Sequence, residues 1–397
     1  MISLGIESTA HTFSIGIVDE ERIYSNERVI YKTEKGGIHP REAAELHSKE
    51  AINVLNKAIW KAGFIYKKVY DKYLIVDVLS EIKENFFCEE KFNEDPWNRY
   101  RYVILEGKKV WIENNEIKSE DKDLEKKLNE YVKNIKDFNK KIDLISFSAG
   151  PGLYPTLVQG KFLADLLSKK FNLKKIGVNH LIAHVEIVKF YNKFKDPVVL
   201  LVTGANTMIL ALEGNKYRIF GETLDIGVGN FLDKVGRLLG LGFPAGPKIE
   251  EIAKNGKNLI KLPYTVKGMD IQLGGLYTYI KKILEEKKYS IEDIAYSIQE
   301  YVFSMLAEIS ERAIAHLNKK EFGLTGGVAV NKRLQEILQK MCEERNIKFG
   351  TVPIDLGNDN GAMIAYTGLL WYEKGIQGKE DIDPYWRPET VEYTLKK

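Results

Sequence analysis

His180 and His184 stand four residues apart in the segment Asn179-His180-Leu181-Ile182-Ala183-His184. On a helix that spacing puts both imidazoles on one face. Two neutral imidazoles so placed form a natural chelate for a divalent cation. They can equally be incidental histidines on a polar helix face. The chain has only six histidines, so their clustering strengthens the metal reading, but spacing alone leaves both open. A zinc-protease motif requires a glutamate directly after the first histidine; Leu181 occupies that position, which disfavours a protease of that class. A two-histidine site also needs a carboxylate. Asp359, in Asp355-Leu356-Gly357-Asn358-Asp359-Asn360-Gly361-Ala362, offers one at the start of a helix. It is either a ligand or the N-cap of the helix from Ala362, and on sequence alone the cap is the plainer reading.

Several turns expose backbone. Thr203-Gly204-Ala205-Asn206-Thr207 and Glu7-Ser8-Thr9-Ala10 each follow an apolar strand, and small residues there let N–H groups approach an anion. Thr325-Gly326-Gly327 could receive an adenosine or ribose, or could simply be tight strand–helix packing. Gly227-Val228-Gly229-Asn230 and Pro244-Ala245-Gly246-Pro247 are further glycine turns. None matches G-x-x-x-x-G-K-[ST], which excludes a phosphate-loop enzyme.

The elements that must position these residues are read from periodicity. Ile2–Ser8 and Phe13–Val18 form a hairpin, and a helix follows over Pro40–Ala62. Strands are expected over Leu144–Phe147 and Lys175–Val178, with helices over Pro155–Lys170 and His180–Tyr191. Three strands in a row follow at Pro197–Thr203, Thr207–Glu213 and Tyr217–Thr223. Helices then lie near Asn230–Leu239 and Ile249–Lys254, and a long helix or pair of helices over Ile291–Leu317. A strand ending at Gly323–Gly326, a helix over Asn331–Arg345, a strand over Lys348–Val352 and a helix over Ala362–Lys374 complete the chain. Residues 64–141 differ in character: charged, Tyr-rich, with Gly107 as their one glycine. Helices are expected there over Asp71–Phe87 and Asp121–Phe138, with a hairpin over Tyr100–Leu105 and Lys109–Ile112.

The 397 residues suggest two domains plus decoration, at about 150 residues per domain. Hydrophobic residues at 44% and charged residues at 29% exclude disorder and fibre. No apolar run is long enough to span a membrane, and the start MISLGIES is unlike a secretory signal. Two distant cysteines, Cys88 and Cys342, exclude a disulfide scaffold and fit a reducing cytoplasm. A net charge of +3 does not by itself announce nucleic-acid binding. The strand–small-turn–strand pattern appears twice, a weak internal duplication. It predicts an α/β protein of the actin-like ATPase (ASKHA) fold, two duplicated lobes around a nucleotide cleft, with an α+β insertion in the first lobe. The expected divisions are 1–63 with 142–178 and the C-terminal 362–397 as first lobe, 64–141 as insertion, and 179–361 as second lobe.

The chain resembles the TsaD/Gcp family in its archaeal and eukaryotic branch, the catalytic subunit of the KEOPS complex. The matching segments are GIESTAHTFSIGIVD, GGIHPREAAELHS, SAGPGLYPTLVQG, GVNHLIAHVEI, DIGVGNFLDKVGRLLG, FPAGPKIEEIA, LTGGVAVNKRLQE and DNGAMIAYTGLL. The resemblance implies transfer of a threonylcarbamoyl group from threonylcarbamoyl-AMP to the exocyclic amine of the tRNA adenosine beside the anticodon. It implies one divalent metal, Fe or Zn, with His180, His184 and Asp359 as its ligands. It also implies an adenine-nucleotide or acyl-adenylate site at Leu201, Val202, Thr203, Gly204, Ala205, Asp233, Gly246, Glu250 and Asn331. Asp233 and Glu250 would hold ribose hydroxyls; without the resemblance they read as surface helix charge. No catalytic acid or base is assigned.

Five features depart from the family pattern. Leu201 stands where a tyrosine ligand is usual, Ala205 replaces the second glycine of its turn, and Met208 replaces a polar residue. Gln272-Leu273-Gly274-Gly275 replaces Ser-Phe-Ser-Gly, and residues 64–141 have no counterpart in a typical member. The alternative these suggest is a non-catalytic nucleotide-binding paralogue serving as a scaffold. The expected partners are tRNA and KEOPS-type subunits, including a kinase on a separate chain, in the cytoplasm and away from membranes. The insertion's Trp97, Arg99, Tyr100, Arg101, Tyr102, Lys108, Lys109 and Trp111 could stack on tRNA or touch a partner subunit, or could line a small sheet.

Overall fold

The computed structural model describes residues 1–32, 37–62, 102–105, 108–113, 116–123, 125–126 and 142–393. Two strands open the chain, β1 (Ser3–Glu7) and β2 (Thr12–Val18), and every residue of both is buried. Ile, Leu, Val and Phe supply most of that burial, as a sheet covered on both faces requires. At the Asp19-Glu20-Glu21 turn, the Asp19 carboxylate accepts the N–H groups of Glu21 and Arg22 at 2.9 and 2.8 Å. That side-chain turn reverses the chain into β3 (Ile23–Ile30), which the sequence reading omits because its polar residues mask the alternation. Helix α1 (Pro40–Ala62) starts on its proline, whose fixed φ and missing N–H suit a first turn.

Strands β4 (Tyr102–Leu105), β5 (Lys108–Glu113) and β6 (Glu116–Ser119) form a small antiparallel sheet, one strand larger than the expected hairpin. The helix expected over Asp71–Phe87, and most of that over Asp121–Phe138, lie outside the described residues. Trp97, Arg99, Tyr100 and Arg101 also lie outside them. Strand β7 (Leu144–Gly150), helix α2 (Tyr154–Phe171) and strand β8 (Lys174–Asn179) follow. The first five-stranded sheet has the order β3-β2-β1-β7-β8, antiparallel across β3, β2 and β1 and parallel from β1 through β8.

Helix α3 (His180–Asn192) leads into a second group of elements. Strands β9 (Val198–Val202), β10 (Thr207–Glu213) and β11 (Lys216–Glu222) precede helices α4 (Val228–Leu238) and α5 (Gly246–Ala253). A two-residue pair, β12 (Val266–Lys267) and β13 (Asp270–Ile271), and helix α6 (Gly274–Glu285) fall in a stretch for which periodicity gives no element. Helix α7 (Ile291–Leu317) is one helix of 27 residues, not two. Ser290 caps it by accepting the Asp293 N–H, and Asn318 ends it in the left-handed conformation. Its continuity follows from Ile294, Ile298, Val302, Leu306 and Ile309, a fully buried stripe along one face. Strand β14 (Glu321–Thr325), helix α8 (Lys332–Glu344), strand β15 (Lys348–Thr351), the single turn α9 (Ile354–Gly357) and helix α10 (Gly361–Lys374) complete the order. The second sheet runs β11-β10-β9-β14-β15, with the same sequence of antiparallel and parallel neighbours as the first.

The chain is therefore α/β with two mixed five-stranded sheets. It separates into two compact units, one of Met1–Lys32, Ile38–His180 and Asn360–Trp386, the other centred on Leu181–Asp359 with Arg387 onward. In the first unit, α10 lies directly on β1 and β2 without side chains between. A Cβ on Gly5 would stand 2.2 Å from the Ala365 nitrogen, and one on Gly16 2.1 Å from the Ala362 nitrogen. Only hydrogen can occupy those positions.

Helix α1 presses His47 against the Phe13 ring, centroids 5.5 Å apart, with no exposed surface on the histidine. Neither ring nitrogen finds a hydrogen-bond partner of good geometry, and burial holds the pKa down at about 4 from an ordinary 6.5. The folded state thus resists a proton that the unfolded chain accepts. This contribution is complete above pH 6.5 and is lost as pH falls from there towards 4. It amounts to on the order of 3 kcal/mol. Urea unfolding between pH 4 and 7 is expected to show this slope in the wild type and a flatter profile in His47→Phe.

Candidate functional site

Helix α3 begins directly after β8, so its first residue, His180, is fixed by the end of a buried strand. Leu181, Ile182, Ala183, Val185, Ile187 and Val188 are all buried, so the helix is enclosed on most sides. His180 is 6% exposed and His184 not at all. This excludes the solvated polar face that the spacing left open. The i, i+4 spacing places both rings on one side, as expected.

Asp359 joins them. One ligand-capable atom from each of His180, His184 and Asp359 lies within 4.8 Å of the others. His184 Nε2 stands 3.3 Å from Asp359 Oδ1. With metal–ligand bonds of about 2.1 Å, that separation subtends roughly 104° at a shared ion, close to tetrahedral. Two imidazoles and one carboxylate form a donor set suited to Zn or Fe, with further positions open to solvent or substrate. Among the described residues, no other group of three such side chains converges in this way. The alternative role for Asp359 does not hold. Asn360 is the N-cap of α10, its side-chain oxygen accepting the Met363 N–H at 3.0 Å.

The residues marked for the nucleotide all lie in the second unit. Leu201 and Val202 end β9 with fully buried side chains, and Leu201 pairs in register with Met208 and Thr325. Leu201 therefore offers no ligand atom. The following turn closes on itself: Thr203 N–H donates to the Asn206 carbonyl at 2.7 Å, and Thr203 Oγ1 accepts the Asn206 N–H at 2.9 Å. Gly204 and Ala205 are exposed at its tip. Helix α4 docks beneath it. Gly229 N–H donates to Thr203 O, Asn230 N–H to Gly204 O, and Val228 N–H to Thr207 Oγ1, at 3.1, 2.9 and 3.0 Å. A Cβ on Gly227 would stand 2.5 Å from the carbonyl oxygens of Gly204 and Ala205, which explains that glycine. These three donors are occupied, so the start of α4 is not a free anion cradle.

Asp233, on α4, accepts the Ala245 N–H at 2.7 Å, and burial raises its pKa above the usual carboxylate range. Gly246 opens α5 onto empty space, with nothing within 4 Å of where a Cβ would stand. Glu250 and Asn331 come together at the start of α8. Glu250 accepts the Lys332 N–H at 2.8 Å; Asn331 caps the helix through the Leu334 N–H at 3.1 Å and donates to Gln299 Oε1 at 2.8 Å. Gly326 has φ 101°, and a Cβ there would stand 2.2 Å from Val202 O, so the position is closed to any other residue.

Sequence reasoning assigns no role to Glu7 beyond the turn Glu7-Ser8-Thr9-Ala10. In the structure its carboxylate occupies that turn, taking the Thr9 N–H at 2.6 Å, while Ser8 N–H donates to Ser148 Oγ at 3.0 Å. The turn thus holds its own anion. The signal in the sequence was a lone acidic residue ending an otherwise uncharged strand.

A fold of two mixed sheets, with two buried histidines and one half-buried aspartate converging, defines an α/β protein with a group of side chains that could hold a metal ion. Comparison makes the assignment specific: residues 122–366 match the profile of TsaD, tRNA N6-adenosine threonylcarbamoyltransferase, and the chain belongs to this family. A protein of that name from Nanoarchaeum equitans is 46% identical over 97% of this chain and 98% of its own length. A probable bifunctional tRNA threonylcarbamoyladenosine biosynthesis protein from Methanocaldococcus jannaschii is 40% identical over 99% of this chain and 60% of its own length. Among solved structures, HypF from T. kodakarensis superposes over 67% of this chain and 46% of that one, with a TM-score of 0.51 at 17% identity.

Asn331→Ala is expected to cost about 2–4 kcal/mol of stability in ligand-free protein, because it removes a cap and strands the Gln299 carbonyl. Urea unfolding checks this, and an unchanged midpoint would leave Asn331 with a ligand role alone.

Proposed function

We propose that this protein transfers a threonylcarbamoyl group from threonylcarbamoyl-AMP to the N6 amine of the tRNA adenosine beside the anticodon. The observation that carries the reading is the buried convergence of His180, His184 and Asp359. A relative named for the same activity, 46% identical along nearly the whole chain, supports it. We read the two sheets of matching strand order as the duplicated lobes of an actin-like ATPase fold.

The chemistry asks little covalent work of the protein. The amine nitrogen attacks the carbamoyl carbonyl, the bond to the AMP phosphate breaks, and the phosphate leaves with the negative charge. The amine proton passes to solvent or to the departing phosphate, and no side chain is assigned to it. His180, His184 and Asp359 would hold the divalent ion, Fe or Zn, which when bound would polarise acyl oxygens as a Lewis acid. The residues around Thr203, Gly204, Asp233, Gly246, Glu250 and Asn331 would hold the adenylate. Gly204, Ala205 and Gly246 present backbone at the surface, where a ligand can approach closely. Asp233 carries a raised pKa and Glu250 already caps α8, so each would meet ribose hydroxyls from a fixed position. Leu201 offers no ligand atom, so water or substrate would complete the coordination of a bound ion.

We read the partners as tRNA and KEOPS-type subunits, including a kinase subunit, with the assembly in the cytoplasm. The relative named as a bifunctional tRNA threonylcarbamoyladenosine biosynthesis protein, of which this chain covers 60%, supports tRNA as substrate. No helix among the described residues is long and apolar enough to cross a membrane.

The test is formation of threonylcarbamoyladenosine from threonine, bicarbonate, ATP and tRNA with the purified partner proteins. Wild type is expected to be active, His180→Ala to fall at least ~100-fold, and a strong chelator to abolish the product reversibly. An inactive wild type under these conditions would favour the scaffold reading, and an active His180→Ala would remove the metal from the mechanism.

A further inference from the structure

Glu7 ends β1 with none of its surface exposed, in a chain segment where every neighbouring strand residue is buried. A buried carboxylate is costly unless each oxygen is met by a donor. Oε1 is met twice by Thr9, from the backbone N–H at 2.6 Å and from the hydroxyl at 2.5 Å. Oε2 lies 2.9 Å from Nδ1 of His180. Glu7 itself is not among the converging ligand atoms of His180, His184 and Asp359.

We propose that Glu7 is a positioning residue for the metal site, holding His180 in the Nδ1–H tautomer so that Nε2 presents its lone pair to the ion. This deepens the metal-dependent reading above and rests on it. The argument is one of donors and acceptors. An ionised carboxylate only accepts, so the 2.9 Å contact requires the proton on Nδ1. Thr9 Oγ1 stands 3.4 Å from the same nitrogen, but its one proton is directed at Glu7 Oε1, so it cannot impose the other tautomer. With Nδ1 protonated, the neutral ring has one basic nitrogen left, and that nitrogen is Nε2. The Thr9 donors hold the carboxylate from the far side, so the anion cannot swing into the ligand cluster and compete as a ligand. Partners of this kind behind a ligating imidazole typically contribute about 10–100-fold in metal affinity.

Zinc affinity of purified protein, measured by competition with a chromogenic chelator, is the first readout. Glu7→Gln keeps size and shape but can turn its amide N–H toward Nδ1, which would move the ring proton to Nε2. It is expected to bind zinc about 10–100-fold more weakly. Glu7→Asp, which keeps the charge on a shorter arm, is expected to recover part of that loss. The second readout is the tautomer of His180 in metal-free protein, from long-range ring 15N–1H correlations. Wild type is expected to show Nδ1–H, and Glu7→Gln to show Nε2–H or a mixture.

Wild-type zinc affinity in folded Glu7→Gln, alongside loss of zinc in His180→Ala, overturns the positioning role and leaves the metal site standing. Stoichiometric zinc retained by His180→Ala overturns the metal reading itself. Should Glu7→Gln fail to fold, the wild-type tautomer still decides, because an Nε2–H ring contradicts the proposal without any variant.

Discussion

An imidazole taken out of water loses the hydrogen bonds that water gave its nitrogens, and two of them buried on one apolar helix set the terms for what surrounds them. His180 and His184 sit where Leu or Val would be neutral in cost. The structure answers with Glu7 behind the first ring and Asp359 beside the second, at 2.9 and 3.3 Å. Glu7 is itself clamped by Thr9, and Asp359 directly precedes Asn360, the cap of α10. Precision of this kind is what a metal site needs, because ligand geometry is decided by what restrains each ligand.

The nucleotide-side residues follow a different economy. Asp233, Glu250 and Asn331 each spend a hydrogen bond on backbone at a helix terminus or loop, at Ala245, Lys332 and Leu334. They are structural before they are functional, and the same hydrogen bonds that cap elements would fix them for a ligand. The turn at Thr203–Asn206 is closed by its own hydrogen bonds and lies over the start of α4, whose donors it consumes. An adenylate held there would therefore meet exposed backbone at Gly204, Ala205 and Gly246 rather than the N-terminus of α4.

Much of the fold was legible because hydrophobic period is strong in buried elements. The three consecutive strands from Val198 to Glu222 and the helices α1, α2 and α10 match their expected places within a few residues. β3, β6, β12, β13 and α6 were not legible. Strand β3 is half-buried and polar along one side, and α6 begins at Gly274-Gly275, which reads as a turn. Helix α7 could not be resolved from a pair of helices, because only the unbroken buried stripe in the folded chain distinguishes them.

The sequence by itself determined the pairing of His180 with His184, since helix geometry fixes the relation of residues four apart wherever the helix lies. It also marked the glycine turns at positions 227 and 326, where only glycine permits the contacts later found, while the close approaches at Gly5 and Gly16 came from the folded chain. Whether Asp359 was a cap or a ligand, and whether Glu7 belonged to a phosphate turn or to a histidine, could not be decided along the chain. Those are questions of what stands at 2.9 or 3.3 Å across a separation of 173 or 175 residues, and only tertiary packing sets such distances.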